Sequence, residues 1–201
     1  MGHLVIAGTG RAGTSFLVRW LDACGLDVGT GLTFFAGANA GLERSLLGEN
    51  LPYVVKDPWL WTYCDQVDPE LVDVLVVPMR DLTHAAESRV RQELASGSHH
   101  GGYVGYTAGG MVVPASATDQ ARTLAVGFHE LVWWAVRNEV PLVFFEYPRM
   151  VDDVEYASAR LASMLGPPYF FHDYPTDQQW YNAIEQAHGR VADQPFHGLE
   201  P

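Results

Sequence analysis

Residues 4–17, LVIAGTGRAGTSFL, set a short apolar run, a glycine-rich loop and the hydroxyl-bearing start of a helix in immediate succession. That order constrains the chain to a strand, a tight turn and a helix whose unpartnered N–H groups face back over the loop. Gly8, Gly10 and Gly13 let the backbone turn sharply and approach an anion, while Thr14 and Ser15 offer hydroxyls at the helix start. The triphosphate-binding loop, G-x-x-x-x-G-K-[ST], places a lysine directly after its last glycine. Gly8 and Gly13 have that spacing, but Thr14 stands in the lysine's place, and the cation of the loop is Arg11.

Three further apolar runs, 53–56, 72–79 and 141–146, read as strands apolar on both faces, the pattern of a parallel sheet covered by helices. Between them the spacing predicts helices over 14–24, over 82–95, around 124–136 and over 150–165. In the second of these, Ala85, Ala86, Val90 and Leu94 form the expected apolar side, with Glu87, Arg89, Arg91 and Glu93 away from it. The alternation predicts one α/β domain spanning 1–201, its mostly parallel sheet flanked by helices and its ligands held at the carboxyl ends of the strands. Residues 95–117 are glycine-rich and without periodicity, the signature of a flexible loop and a lid candidate. From about residue 167 the chain is aromatic and is expected to pack on the domain.

Composition removes several classes of function. The chain has 201 residues and is 48% hydrophobic, enough for one substantial core and too short for two comfortable domains. A run of about 18 apolar residues is lacking, so no membrane span is expected, and the glycine loop begins too early for a secretory signal. A cytoplasmic protein is the expectation, with Cys24 and Cys64 as buried thiols. A formal net charge of −12 argues against nucleic acid as a partner, because nucleic acid is bound through excess Lys and Arg. Any bound anion is then held by a few placed cations.

Two such cations stand at predicted strand ends. Arg80 follows the run 72–79, and Ser88 lies eight residues on; a guanidinium fork and a hydroxyl suit a phosphate. Asp81, beside Arg80, reads as the N-cap of the next helix. Lys56 closes the run 53–56, where mobile positive charge would serve a leaving group. Asp57, followed by Pro58, projects toward the same strand-end site and also reads as a helix N-cap.

These three pieces together resemble the sulfotransferases that use 3′-phosphoadenosine 5′-phosphosulfate (PAPS). Their phosphosulfate loop, [KR]-[SA]-G-T-[ST], is matched by Arg11, Ala12, Gly13, Thr14 and Ser15; their 3′-phosphate arginine and serine, eight residues apart, are matched by Arg80 and Ser88. Lys56-Asp57-Pro58 resembles the K-[DNS]-P segment of bacterial members, and PLVFFEYPRMVDD their late strand and acidic turn. The resemblance covers about residues 3–166 and implies the sulfotransferase type of P-loop fold. It also implies roles: Arg11, Ala12, Gly13, Thr14 and Ser15 on the 5′-phosphosulfate, Phe16 near the adenine, Arg80 and Ser88 on the 3′-phosphate, and Lys56 on the bridging oxygen. The implied partner is a small-molecule or glycolipid hydroxyl acceptor, without a metal, and a homodimer stays open. For the base the resemblance offers Asp57 first and Glu43 second. His99 and His100 in the glycine-rich loop, His84 and His129 read as solvated or structural.

Two other functions compete. A P-loop kinase needs the missing lysine and a magnesium-binding acid, for which Asp57 or Asp81 would have to serve. A non-catalytic nucleotide-binding module of the same fold fits the absence of the R-K-G segment common in the family, of which Gly189-Arg190 is at best a remnant.

Overall fold

The computed structural model describes residues 2–8, 10–29, 43–95 and 117–165. Among the described residues, four strands, β1 (His3–Ile6), β2 (Val54–Lys56), β3 (Val72–Met79) and β4 (Leu142–Glu146), form one sheet in the order β2-β1-β3-β4. Every pairing is parallel. The protein is therefore an α/β fold with a parallel sheet flanked by helices. The glycine-rich segment expected to form a lid, with His99 and His100, lies almost entirely outside the described residues, as does the aromatic tail.

Strand alternation divides the core into two layers. Leu4, Ile6, Val54, Val74, Val76 and Phe145 face one way and pack with Phe16, Leu17, Trp20 and Leu21 of α1 (Thr14–Ala23). On the same face lie Met150 of the short α4 (Arg149–Asp152) and Ala157 and Leu161 of α5 (Val154–Leu165). Val5, Ala7, Val55, Leu75 and Val77 face the other way, against Leu131, Trp134 and Ala135 of the long helix between β3 and β4, which begins at Ala117. Among the described residues, no helix is long and apolar enough to cross a membrane.

The sequence-based elements correspond closely to those observed, with instructive differences. The expected helix over 150–165 is broken at Asp153, whose extended backbone ends α4. Its carboxylate accepts from Tyr156 N at 2.9 Å, the geometry of an N-cap that starts α5. Helix α2 (Leu82–Ala95) begins where Asp81 accepts from His84 N at 3.0 Å, so Asp81 is its cap. Arg89, expected away from the apolar side, is instead fully buried. It lies three and four residues beyond Ala86 and Ala85, hence on the face they expose to α3 (Ala117–Arg137), and their small side chains let α3 come close.

Candidate functional site

Strand β1 feeds β2 on one side and β3 packs on the other, so the chain reverses direction across the sheet between β1 and β3. In open parallel sheets that switch point leaves a crevice at the carboxyl ends of the two strands. The glycine loop leaves β1 at this crevice, and Arg80 leaves β3 there. Gly8 has φ +141°, Gly10 +74° and Gly13 +86°; Arg11 itself adopts +59°, a left-handed turn that closes the loop. Gly13 stands at the N-cap of α1 and has no side chain with which to cap the helix's first N–H groups.

Lys56 is placed by alternation. It shares parity with Val54, whose side chain lies on the α1 face, so Lys56 points beneath the start of that helix. Its Nζ donates to Ser15 Oγ at 2.9 Å and approaches Glu43 Oε1 at 3.4 Å. Glu43 is brought there by a parallel bridge to Lys56 and by Arg44 N donating to Lys56 O at 2.9 Å. The ion pair is almost completely covered, with side chains 3% and 6% exposed. Burial lowers the Lys56 pKa, Glu43 opposes that shift, and Arg11 and Arg19 add to it.

Asp57 continues the ladder, donating its N–H to Ile6 O at 2.9 Å, and is turned to the opposite face. There its carboxylate accepts from Leu46 N at 2.8 Å, from Trp59 N at 3.1 Å and from the Tyr63 hydroxyl. Leu46 and the packed ring of Tyr63 belong to the second core layer. Burial raises the Asp57 pKa in spite of these three donors. Asp57, expected as an N-cap, instead closes a turn through Trp59 N, because the short 3-10 helix Leu60–Thr62 is capped by Trp59 without a side-chain bond. Its carboxylate lies on the opposite face from Lys56 and Ser15, and the charge of Glu43 adds to the rise in its pKa.

A second cationic group forms on the other side of the loop. Arg11 Nε donates to Ser88 Oγ at 3.1 Å, and Arg80 Nη1 approaches the Arg11 carbonyl oxygen at 3.4 Å. Partial burial lowers the Arg11 pKa, with the nearby charge of Arg80 next in effect; Tyr147 opposes the shift and Arg91 adds to it. The structure thus brings together Arg11, Arg80 and Ser88, and separately Ser15, Lys56 and Glu43. Ala12 and Thr14 are buried within the loop and helix start. Phe16, expected near a base, is turned into the core with its ring centroid 6.1 Å from that of Trp20.

Sequence reasoning missed Tyr147. Its backbone N–H donates to Met79 O at 2.7 Å, which sets it level with Arg80 just past the sheet edge. The available signal was its position immediately after an apolar parallel run, where side chains reach the crevice.

No protein-family model matches the chain, and comparison with curated proteins finds no significant similarity.

Proposed function

We propose that the protein transfers a sulfuryl group from PAPS to a hydroxyl of a small molecule or glycolipid. One observation carries this reading: two separate cation-bearing groups, Ser15–Lys56 and Arg11–Ser88–Arg80, flank a single glycine loop at the β1/β3 crevice. A nucleotide with an anion at each end of its ribose needs two such groups. A triphosphate would call for the lysine that Thr14 replaces.

In this scheme the acceptor oxygen attacks sulfur in line. The new O–S bond forms as the bond from sulfur to the bridging oxygen breaks, and the electron pair stays on the 5′-phosphate of adenosine 3′,5′-bisphosphate. Lys56, and the N–H groups at the start of α1, stabilise the charge that collects there. The acceptor's proton passes to a carboxylate. Of the two candidates, Glu43 is favoured, because it shares the surroundings of Lys56 and Ser15 while the Asp57 carboxylate is taken up by three donors. The scheme requires no metal and no nucleic-acid partner. A cytoplasmic location accords with Cys24 and Cys64 as free thiols.

The test is calorimetry with adenosine 3′,5′-bisphosphate and with magnesium ATP, followed by labelled PAPS offered with phenols, alcohols and sugars. The bisphosphate is expected to bind more tightly than magnesium ATP, and label to move to at least one hydroxyl class. Tighter binding of magnesium ATP overturns the reading in favour of a kinase. Tight bisphosphate binding without transfer to any acceptor favours a binding module.

A further inference from the structure

Arg11, Arg80 and Arg91 lie close enough for their like charges to be felt at Arg11. Like charges held this close need other contacts to fix their geometry. The cation face of that problem is met by Tyr147: the Arg80 Cζ lies over its ring, 5.1 Å from the centroid, inside the range at which a guanidinium is attracted to an aromatic face. The ring's edge meets the loop. A Cβ on Gly13 would meet the Met150 methyl first and would lie 2.8 Å from Tyr147 Cδ2 and 3.3 Å from Cε2, so the bare glycine admits the ring and that methyl together. The pairing of Met79 with Glu146 in the β3/β4 ladder then fixes Tyr147 beside Arg80.

We infer that Tyr147 is a positioning residue for anion recognition, its ring holding the Arg80 guanidinium against the glycine loop so that Arg80 and Arg11 act on one phosphate. The inference rests on the nucleotide reading above for the identity of that phosphate, the one on the 3′ position; Arg11, which the resemblance set on the 5′-phosphosulfate, is reassigned to it because of its bond to Ser88. The stacked face of the guanidinium is spent on the ring, which leaves its edge N–H groups for the anion. Tyr147 thereby sets the preference for a 3′-phosphorylated nucleotide without touching the transferred group.

The experiment compares Tyr147→Phe and Tyr147→Leu by calorimetry against adenosine 3′,5′-bisphosphate and adenosine 5′-monophosphate, and by turnover with PAPS. Tyr147→Leu is expected to weaken the bisphosphate about tenfold with little effect on the monophosphate, raising KM for PAPS and leaving kcat nearly unchanged. Tyr147→Phe, which keeps the ring, is expected to restore both. An unaltered bisphosphate-to-monophosphate ratio in Tyr147→Leu overturns the inference, as does Tyr147→Phe failing as badly as Tyr147→Leu. Should Tyr147→Leu not fold, Arg80→Lys keeps the charge but not the planar stack, and wild-type selectivity in it is equally fatal. If the wild-type protein shows no preference for the bisphosphate, the nucleotide reading fails and inorganic phosphate decides Tyr147. The 15Nε resonances of Arg11 and Arg80 then shift with phosphate in wild type and Tyr147→Phe and not in Tyr147→Leu; equal shifts in all three overturn the positioning role.

Discussion

Lys56 and Ser15, 41 residues apart in sequence, meet at 2.9 Å beneath the start of the first helix. The lysine ends a strand and the serine begins a helix, so two rigid elements fix the contact. A further neighbour, Glu43, ties the lysine into the structure, because neither charge of that pair is open to water.

Replacing Lys56 with Met leaves the Glu43 carboxylate buried without its cation. The expected loss is about 3 kcal/mol, and Lys56→Met combined with Glu43→Gln should recover much of it, since an uncompensated buried charge costs more than the absence of the pair. Urea denaturation of the three proteins checks this. On the proposed sulfuryl-transfer reading, kcat of folded Lys56→Met should fall about 100-fold, more than affinity for PAPS, because the charge matters most when the leaving group develops its own.

Asp57 predicts a pH signature. Its folded-state pKa is raised above 3.8 by burial, so between 3.8 and that raised value the native state holds more protons than the unfolded chain. Stability contributed by the group is full below 3.8 and is lost as pH rises through the folded pKa. Asp57→Asn removes this titration. Relative to the Asn variant, the wild-type urea midpoint should decline as pH climbs from about 3.8 toward neutrality; parallel profiles would contradict the raised pKa.

The bond from Arg11 Nε to Ser88 Oγ predicts coupling between two residues 77 positions apart. On the proposed nucleotide reading, Arg11→Ala and Ser88→Ala should each weaken adenosine 3′,5′-bisphosphate more than adenosine 5′-monophosphate. The double variant should lose less than the two separate effects together, with an interaction energy of at least about 0.5 kcal/mol. Strict additivity in a calorimetric double-mutant cycle would show the two acting independently.

Gly127 sets two known effects against each other. In a helix interior, Gly→Ala gains about 1 kcal/mol from propensity. Here, however, the new Cβ would come within 2.8 Å of Trp61 Cδ2 and 3.1 Å of Cε2 and Cε3, in the body of a ring that packs against the core. Overpacking of that kind costs about 1–3 kcal/mol. The net expectation for Gly127→Ala is a lower thermal midpoint, and a raised midpoint would mean that the Trp61 ring yields freely.

Much of the fold was legible because strand and helix periodicities are local. The run 72–79 became β3 with those bounds, and 82–95 became α2 with those bounds. Two of the missed details came from side chains acting on the backbone or across helices. Asp153 bonds Tyr156 N and so interrupts a helical pattern that hydrophobic spacing alone carries straight through. Arg89 is buried where pattern reading put a polar side, because the neighbouring alanines present a face to another helix and not to water.

By itself, the sequence determined the parallel α/β architecture and the position of a glycine loop between its first strand and helix. It also marked Arg11, Lys56, Arg80 and Ser88 as cations and hydroxyls near strand ends. Which of them meet was decided only in three dimensions. Period-two alternation sends Lys56 toward Ser15 and the adjacent Asp57 to the opposite face of the sheet. Strand order sets Arg80 beside the loop, and the β3/β4 register brings in Tyr147, which no motif had singled out. Residue type and spacing record what a side chain can bind; the pairing of distant strands decides what it stands next to.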